Sequence, residues 1–146
     1  MGDGTATLAV QCVDDLFVVE LSSKEHGDTI RDSDAGGELP PRARPVDLVP
    51  DWVGSHLVDV DARVATIVLL VSRRPPLMVS YDIGRTWNER GGGLAPGRAV
   101  AIDENPDRIV VASRNRLFVS SNGGVFWRSV SVELPEIVDV AWGALG

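Results

Sequence analysis

The chain is poor in the residues from which most chemistry is built. A single cysteine, Cys12, excludes an internal disulfide and a multi-cysteine zinc site. Two histidines, His26 and His56, leave little from which to assemble a catalytic or metal constellation, so neither metal nor cofactor is expected. No apolar run approaches the roughly 20 residues of a spanning helix. The longest, Ala65–Val71, is interrupted by Thr66. No stretch carries the period of a long amphipathic helix. The start, Met1-Gly2-Asp3-Gly4, lacks the basic residues and apolar run of a secretory leader. A cytoplasmic location, away from membranes, is therefore expected.

What remains is a chain of 146 residues, 44% hydrophobic and 24% charged, which suits one domain with a usable core. The net charge of −7 disfavours nucleic acid as a partner. The basic residues are Lys24 and 13 arginines, so the placement of the arginines matters more than the total.

The chain also repeats itself. Residues 56–106 align with 96–146 at a shift of 40 without gaps. Val60, Val100 and Val140 coincide, and Leu77, Val79, Ser80, Gly84, Trp87 and Leu94 fall on Leu117, Val119, Ser120, Gly124, Trp127 and Leu134. Each repeat reads as four short strands parted by turn residues. These are expected at 57–62, 66–73, 77–81 and 86–90, then at 98–103, 108–113, 116–121 and 126–132. Four strands in about 40 residues is the pattern of a propeller blade.

Ser80-Tyr81-Asp82-Ile83-Gly84-Arg85-Thr86-Trp87 resembles the Asp-box, S-x-D-x-G-x-T-W, of sialidase-type (BNR) β-propellers. A second copy, Ser120-Ser121-Asn122-Gly123-Gly124-Val125-Phe126-Trp127, has Asn122 for Asp and Phe126 for Thr. A degenerate third keeps Ser23, Gly27 and Thr29, with Glu25 for Asp and Ile30 for Trp. The resemblance implies an all-β propeller of four-stranded antiparallel blades, with the box on the turn between third and fourth strands and away from active sites. Asp82 and Asn122 can accept bonds from N–H groups of their own turn, and Gly84 and Gly124 permit positive φ. The box then serves as a fold-stabilising hairpin; the alternative is a ligand or metal site.

Strands at 7–12, 16–21 and 29–32 precede the repeats, and 137–142 follows them. The chain thus begins without one inner strand and ends with a spare one. Three blades are too few for a ring of four to eight. A six-bladed homodimer is expected, each strand 137–142 completing the partner's first blade. The alternatives are a split gene product or half of a heteromeric propeller. Residues 31–55 interrupt the repeat as a long inter-blade loop, rich in proline and glycine, within a single domain spanning 1–146. Trp52 either anchors a functional loop or belongs to a structural plug.

Propeller geometry puts Arg73, Arg74, Arg114 and Arg116, from the turns between second and third strands, on the face opposite the boxes. Arg42, Arg44, Arg90 and Arg98, from connections between blades, are expected there too. Guanidinium groups suit carboxylates and phosphates. With Trp52 they form a candidate site for a protein partner or an anionic glycan, unless Glu38, Asp47, Asp51 and Glu89 neutralise the rim. The expected function is a non-catalytic binding or assembly module. The alternative is a glycan-processing enzyme using inner-strand carboxylates, Asp59, Asp61, Asp103 and Asp139. Against it, the sialidase arginine triad and Tyr–Glu pair are not recognisable, and the lone Tyr81 sits inside a box.

Overall fold

The protein is described by a computed structural model covering residues 6–22, 27–33 and 37–145. Among these residues are three four-stranded antiparallel sheets, two short 3₁₀ turns and no α-helix. The first sheet holds β1 (Ala6–Cys12), β2 (Leu16–Leu21) and β3 (Thr29–Asp32), with the C-terminal strand β12 (Ile137–Trp142) beside β1. The second runs β4 (Leu57–Arg63), β5 (Thr66–Val71), β6 (Leu77–Ser80) and β7 (Asn88–Arg90) in order. The third runs β8 (Ala99–Ile102), β9 (Ile109–Ala112), β10 (Leu117–Ser120) and β11 (Arg128–Ser129). The sheets meet along their first strands, β8 lying between β4 and β12, and they do not close into a ring.

The strands follow from the apolar pattern. All six residues of β5 are buried, because this strand is covered on both faces. Val68 and Leu70 point into a core shared with Val100, Ile102, Ile109 and Val111 of the third sheet. Their alternates Ile67, Leu69 and Val71 point the other way, into a cluster with Val53, Val60 and Met78. A third and larger core joins the first and third sheets through Leu8, Val10, Val19, Leu117, Ile137 and Val140. Close packing requires glycine at one point of the middle seam. A Cβ on Gly97 would lie 2.9 Å from a methyl of Leu70 and 3.0 Å from one of Val111.

The C-terminal strand, expected to complete a partner's first blade, lies here beside β1 of its own chain, Val140 opposite Val10 and Trp142 opposite Leu8. The buried Cys12 lies in this ladder opposite Ile137, its Sγ 3.5 Å from the carbonyl of Pro135. The inserted loop between the first and second sheets is described over residues 37–56. This segment passes through 3₁₀ turns at Val46–Leu48 and Asp51–His56 and buries Val53 against the free face of the second sheet. Val49 and Leu57 pack beside it.

Candidate functional site

The two clear box turns have nearly the same hydrogen-bond geometry. The Ser80 hydroxyl donates to Asp82 at 2.8 Å and accepts from the Gly84 N–H at 2.8 Å. Asp82 also accepts from the Thr86 N–H at 2.9 Å and the Thr86 hydroxyl at 2.7 Å. Together these donors pull the Asp82 carboxyl down to about 2. In the second turn, Ser120 donates to Asn122 at 2.9 Å and accepts from Gly124 at 2.9 Å, while Asn122 accepts from the Phe126 N–H at 3.0 Å. Gly84 and Gly124 have φ of 86° and 92°, as the turn demands. The oxygens of Ser80, Asp82, Ser120 and Asn122 are engaged within their own turns, which is the behaviour of a hairpin device. Tyr81 joins the two turns through a 3.1 Å bond to the Gly123 carbonyl.

In the third copy, Ser23 and Glu25 lie outside the described residues, while Gly27 and Thr29 are exposed. Its neighbour Asp28, unremarkable in the sequence, locks the first sheet to the third. The buried carboxylate accepts from Arg128 at 2.7 and 3.1 Å, from the Ser131 N–H at 3.0 Å and from the Ser22 N–H at 2.9 Å. Burial alone would raise its pKa, but these bonds and the Arg128 charge hold it far below the usual carboxylate range.

At the centre, two inner-strand carboxylates bridge neighbouring strands. Asp59 on β4 accepts from its own Val60 N–H and from the Val100 N–H of β8, both at 2.9 Å. Asp61 does the same with Ala62 and Ile102, both at 2.9 Å. Burial dominates and raises both carboxyls, Asp61 to about 6, against the pull of those N–H groups. Asp139 on β12, two repeats beyond Asp59, meets a different partner. Arg42 and Arg44 of the inserted segment reach between β4 and β12. Arg44 bonds Asp59 at 2.8 Å and Asp139 at 2.8 Å, and Arg42 bonds Asp139 and the Val100 carbonyl. Arg42 is only 7% exposed. The sequence offered a structural plug as one reading of this segment but set Arg42 and Arg44 on the rim, although charge counting could have matched them to Asp59 and Asp139. A pair of glycosidase carboxylates must flank an open site, roughly 5–10 Å apart. Asp59 and Asp139 instead share guanidinium groups, Asp61 lies beneath backbone donors, and Asp103 sits 3.6 Å from Arg108.

The arginine face divides in two. Arg98 and Arg114 pair with Glu136 at 2.7 and 3.5 Å, which lowers the Glu136 carboxyl, and Arg116 pairs with Glu133 at 2.8 Å. The neutralising acids therefore come from the segment before β12, not from Glu38, Asp47, Asp51 or Glu89. Arg90 leaves the face as well, packing its stem against Gly124. On the second sheet, by contrast, Arg73 and Arg74 form no salt bridge among the described residues. Arg73 lies 5.6 Å over the Trp52 ring, which stands edge-on to Trp87 at 6.5 Å. Arg74 borders two recesses. One, of about 210 Å³, is walled by Val58, Val71, Pro76 and Leu94. The other, of about 460 Å³, reaches Gly92 and Gly93. Pro96 and Gly97 connect the first to a broader hollow beside Arg98, Arg114 and Arg116. The five residues thus do not form one site: Trp52, Arg73 and Arg74 group on the second sheet, and Arg114 and Arg116 on the third.

Among the described residues, no helix is long and apolar enough to cross a membrane, and no group of His, Cys, Asp and Glu could hold a metal ion. No protein-family model, curated protein or solved structure matches the chain.

Proposed function

We propose that the chain is a non-catalytic binding module built on an arc of three Asp-box propeller blades. Its ligand is anionic, a partner's acidic segment or an acidic glycan, and its site is the groove beside Arg73 and Arg74. The observation that carries this reading is the contrast between the two halves of the arginine face. Arg98, Arg114 and Arg116 already have carboxylates, whereas Arg73 and Arg74 have none among the described residues and edge an apolar recess. A guanidinium without a counter-charge offers bidentate bonds to an incoming carboxylate, sulfate or phosphate. The matching box turns support the propeller assignment, and the occupied inner carboxylates favour binding over glycan hydrolysis.

Binding to sulfated oligosaccharides and acidic peptides, measured by calorimetry at low and high salt, tests the assignment. The expected result is binding that weakens as salt rises, is lost in Arg73→Glu/Arg74→Glu and persists in Arg114→Glu. Binding that survives the first change, or none at low salt, overturns it.

A further inference from the structure

We infer that residues 39–56 are a displaceable cap over an assembly surface, and that the partner this surface fits is a second copy of the same chain. The repeat carries the argument, because it shows what each capped position would otherwise touch. Trp127, just before the fourth strand of the third sheet, packs against the core shared with the second sheet. Its counterpart one repeat earlier, Trp87, packs against the cluster that holds Val53 of the inserted segment and stands edge-on to Trp52 at 6.5 Å. The cap therefore lies where a preceding sheet would lie.

The other end of the arc tells the same story through different chemistry. Asp59 reaches across to the Val100 N–H of the next inner strand at 2.9 Å. Asp139, its equivalent on β12, has no further inner strand beside it among the described residues, and Arg42 and Arg44 take that place. One segment thus covers both ends of the arc. The same two faces on a second copy are the matching halves: β4 of one chain would sit against β12 of the other as β8 sits against β4 within the chain. Two arcs joined twice would form a closed six-sheet ring on a two-fold axis.

The cap is built to release. It joins no strand ladder, since its 3₁₀ backbone bonds are local, such as Leu48 N–H to Pro45 and Val53 N–H to Pro50. Val46, Leu48 and Trp52 remain 62%, 41% and 53% exposed. Apart from the His56 carbonyl at its C-terminal end, which accepts from the Ser72 N–H at 2.8 Å, side chains hold it, and segments of this kind open at low free energy.

The test removes the anchors and reads mass by light scattering across a concentration series. Wild type is expected at the 15.6 kDa of one chain, and Arg42→Ala/Arg44→Ala at about twice that, with Trp52 emission shifted. A folded double variant that stays monomeric at every concentration overturns the inference. So does a wild-type dimer whose amides in 46–56 remain protected from hydrogen exchange, because its interface would lie elsewhere. Should the double variant fail to fold, Arg44→Ala decides. Its side chain is 45% exposed, so no buried void is left, and the monomer–dimer equilibrium must still move towards dimer.

Discussion

Among the described residues, two hold backbone conformations that their side chains resist. Val64, at the tip of the β4–β5 hairpin, has φ of 54°, and Ile83, in the first box turn, has φ of 60°. Both are β-branched and exposed. One repeat later, the position of Ile83 is taken by Gly123 at φ 75°, so the turn itself favours glycine. Val64→Gly and Ile83→Gly are each expected to stabilise the fold by about 0.5–1 kcal/mol, the relief of left-handed strain less the entropy of glycine. Urea unfolding would show a higher midpoint at unchanged slope. Asp28 works in the opposite direction. Asp28→Ala leaves Arg128 without its carboxylate and strips the Ser22 and Ser131 N–H groups of their acceptor. A loss of about 3–5 kcal/mol is expected by the same measurement.

Among the elements, periodicity made the strands legible. Each of the twelve expected segments contains a strand, because alternating apolar residues and the spacing of turn residues act locally. The fourth strand of the third sheet is the exception in length. Expected over 126–132, it pairs only at Arg128 and Ser129, since Phe126 and Trp127 belong to the box turn. The box geometry was legible for the same local reason. The ion pairs of the plug and the Asp28–Arg128 lock were not, because their partners lie 15 to 100 residues apart and carry no period. Nor could the sequence show which arginines find carboxylates, which depends on how the segment before β12 folds back. Gly97 illustrates a demand made between elements. Gly97→Ala would drive a methyl into Leu70 and Val111 and is expected to cost about 1–3 kcal/mol, read as a lower thermal midpoint.

For the whole molecule, stability should depend on pH in two opposing ways. Asp28 and Asp82 have lowered carboxyls, so their contributions are present above the unfolded value near 3.8 and fade as pH falls through the folded values. Asp61 is raised to about 6, so its contribution is present below 3.8 and lost as pH climbs towards 6. Thermal midpoints in dilute solution should therefore peak near pH 4 and decline towards about pH 6. Asp61→Asn should flatten the decline while leaving the acid limb in place; a decline equally steep in that variant would assign it to other groups. The single thiol supplies a clock for a different event. Burial, with Asp15 nearby, pushes the Cys12 thiol up to about 11, so at neutral pH it is both sheltered and unreactive. It sits in the ladder that β12 closes, and alkylation must wait until that strand lifts. The labelling rate under excess reagent thus times the parting of the chain's two ends, without a probe being added to the protein.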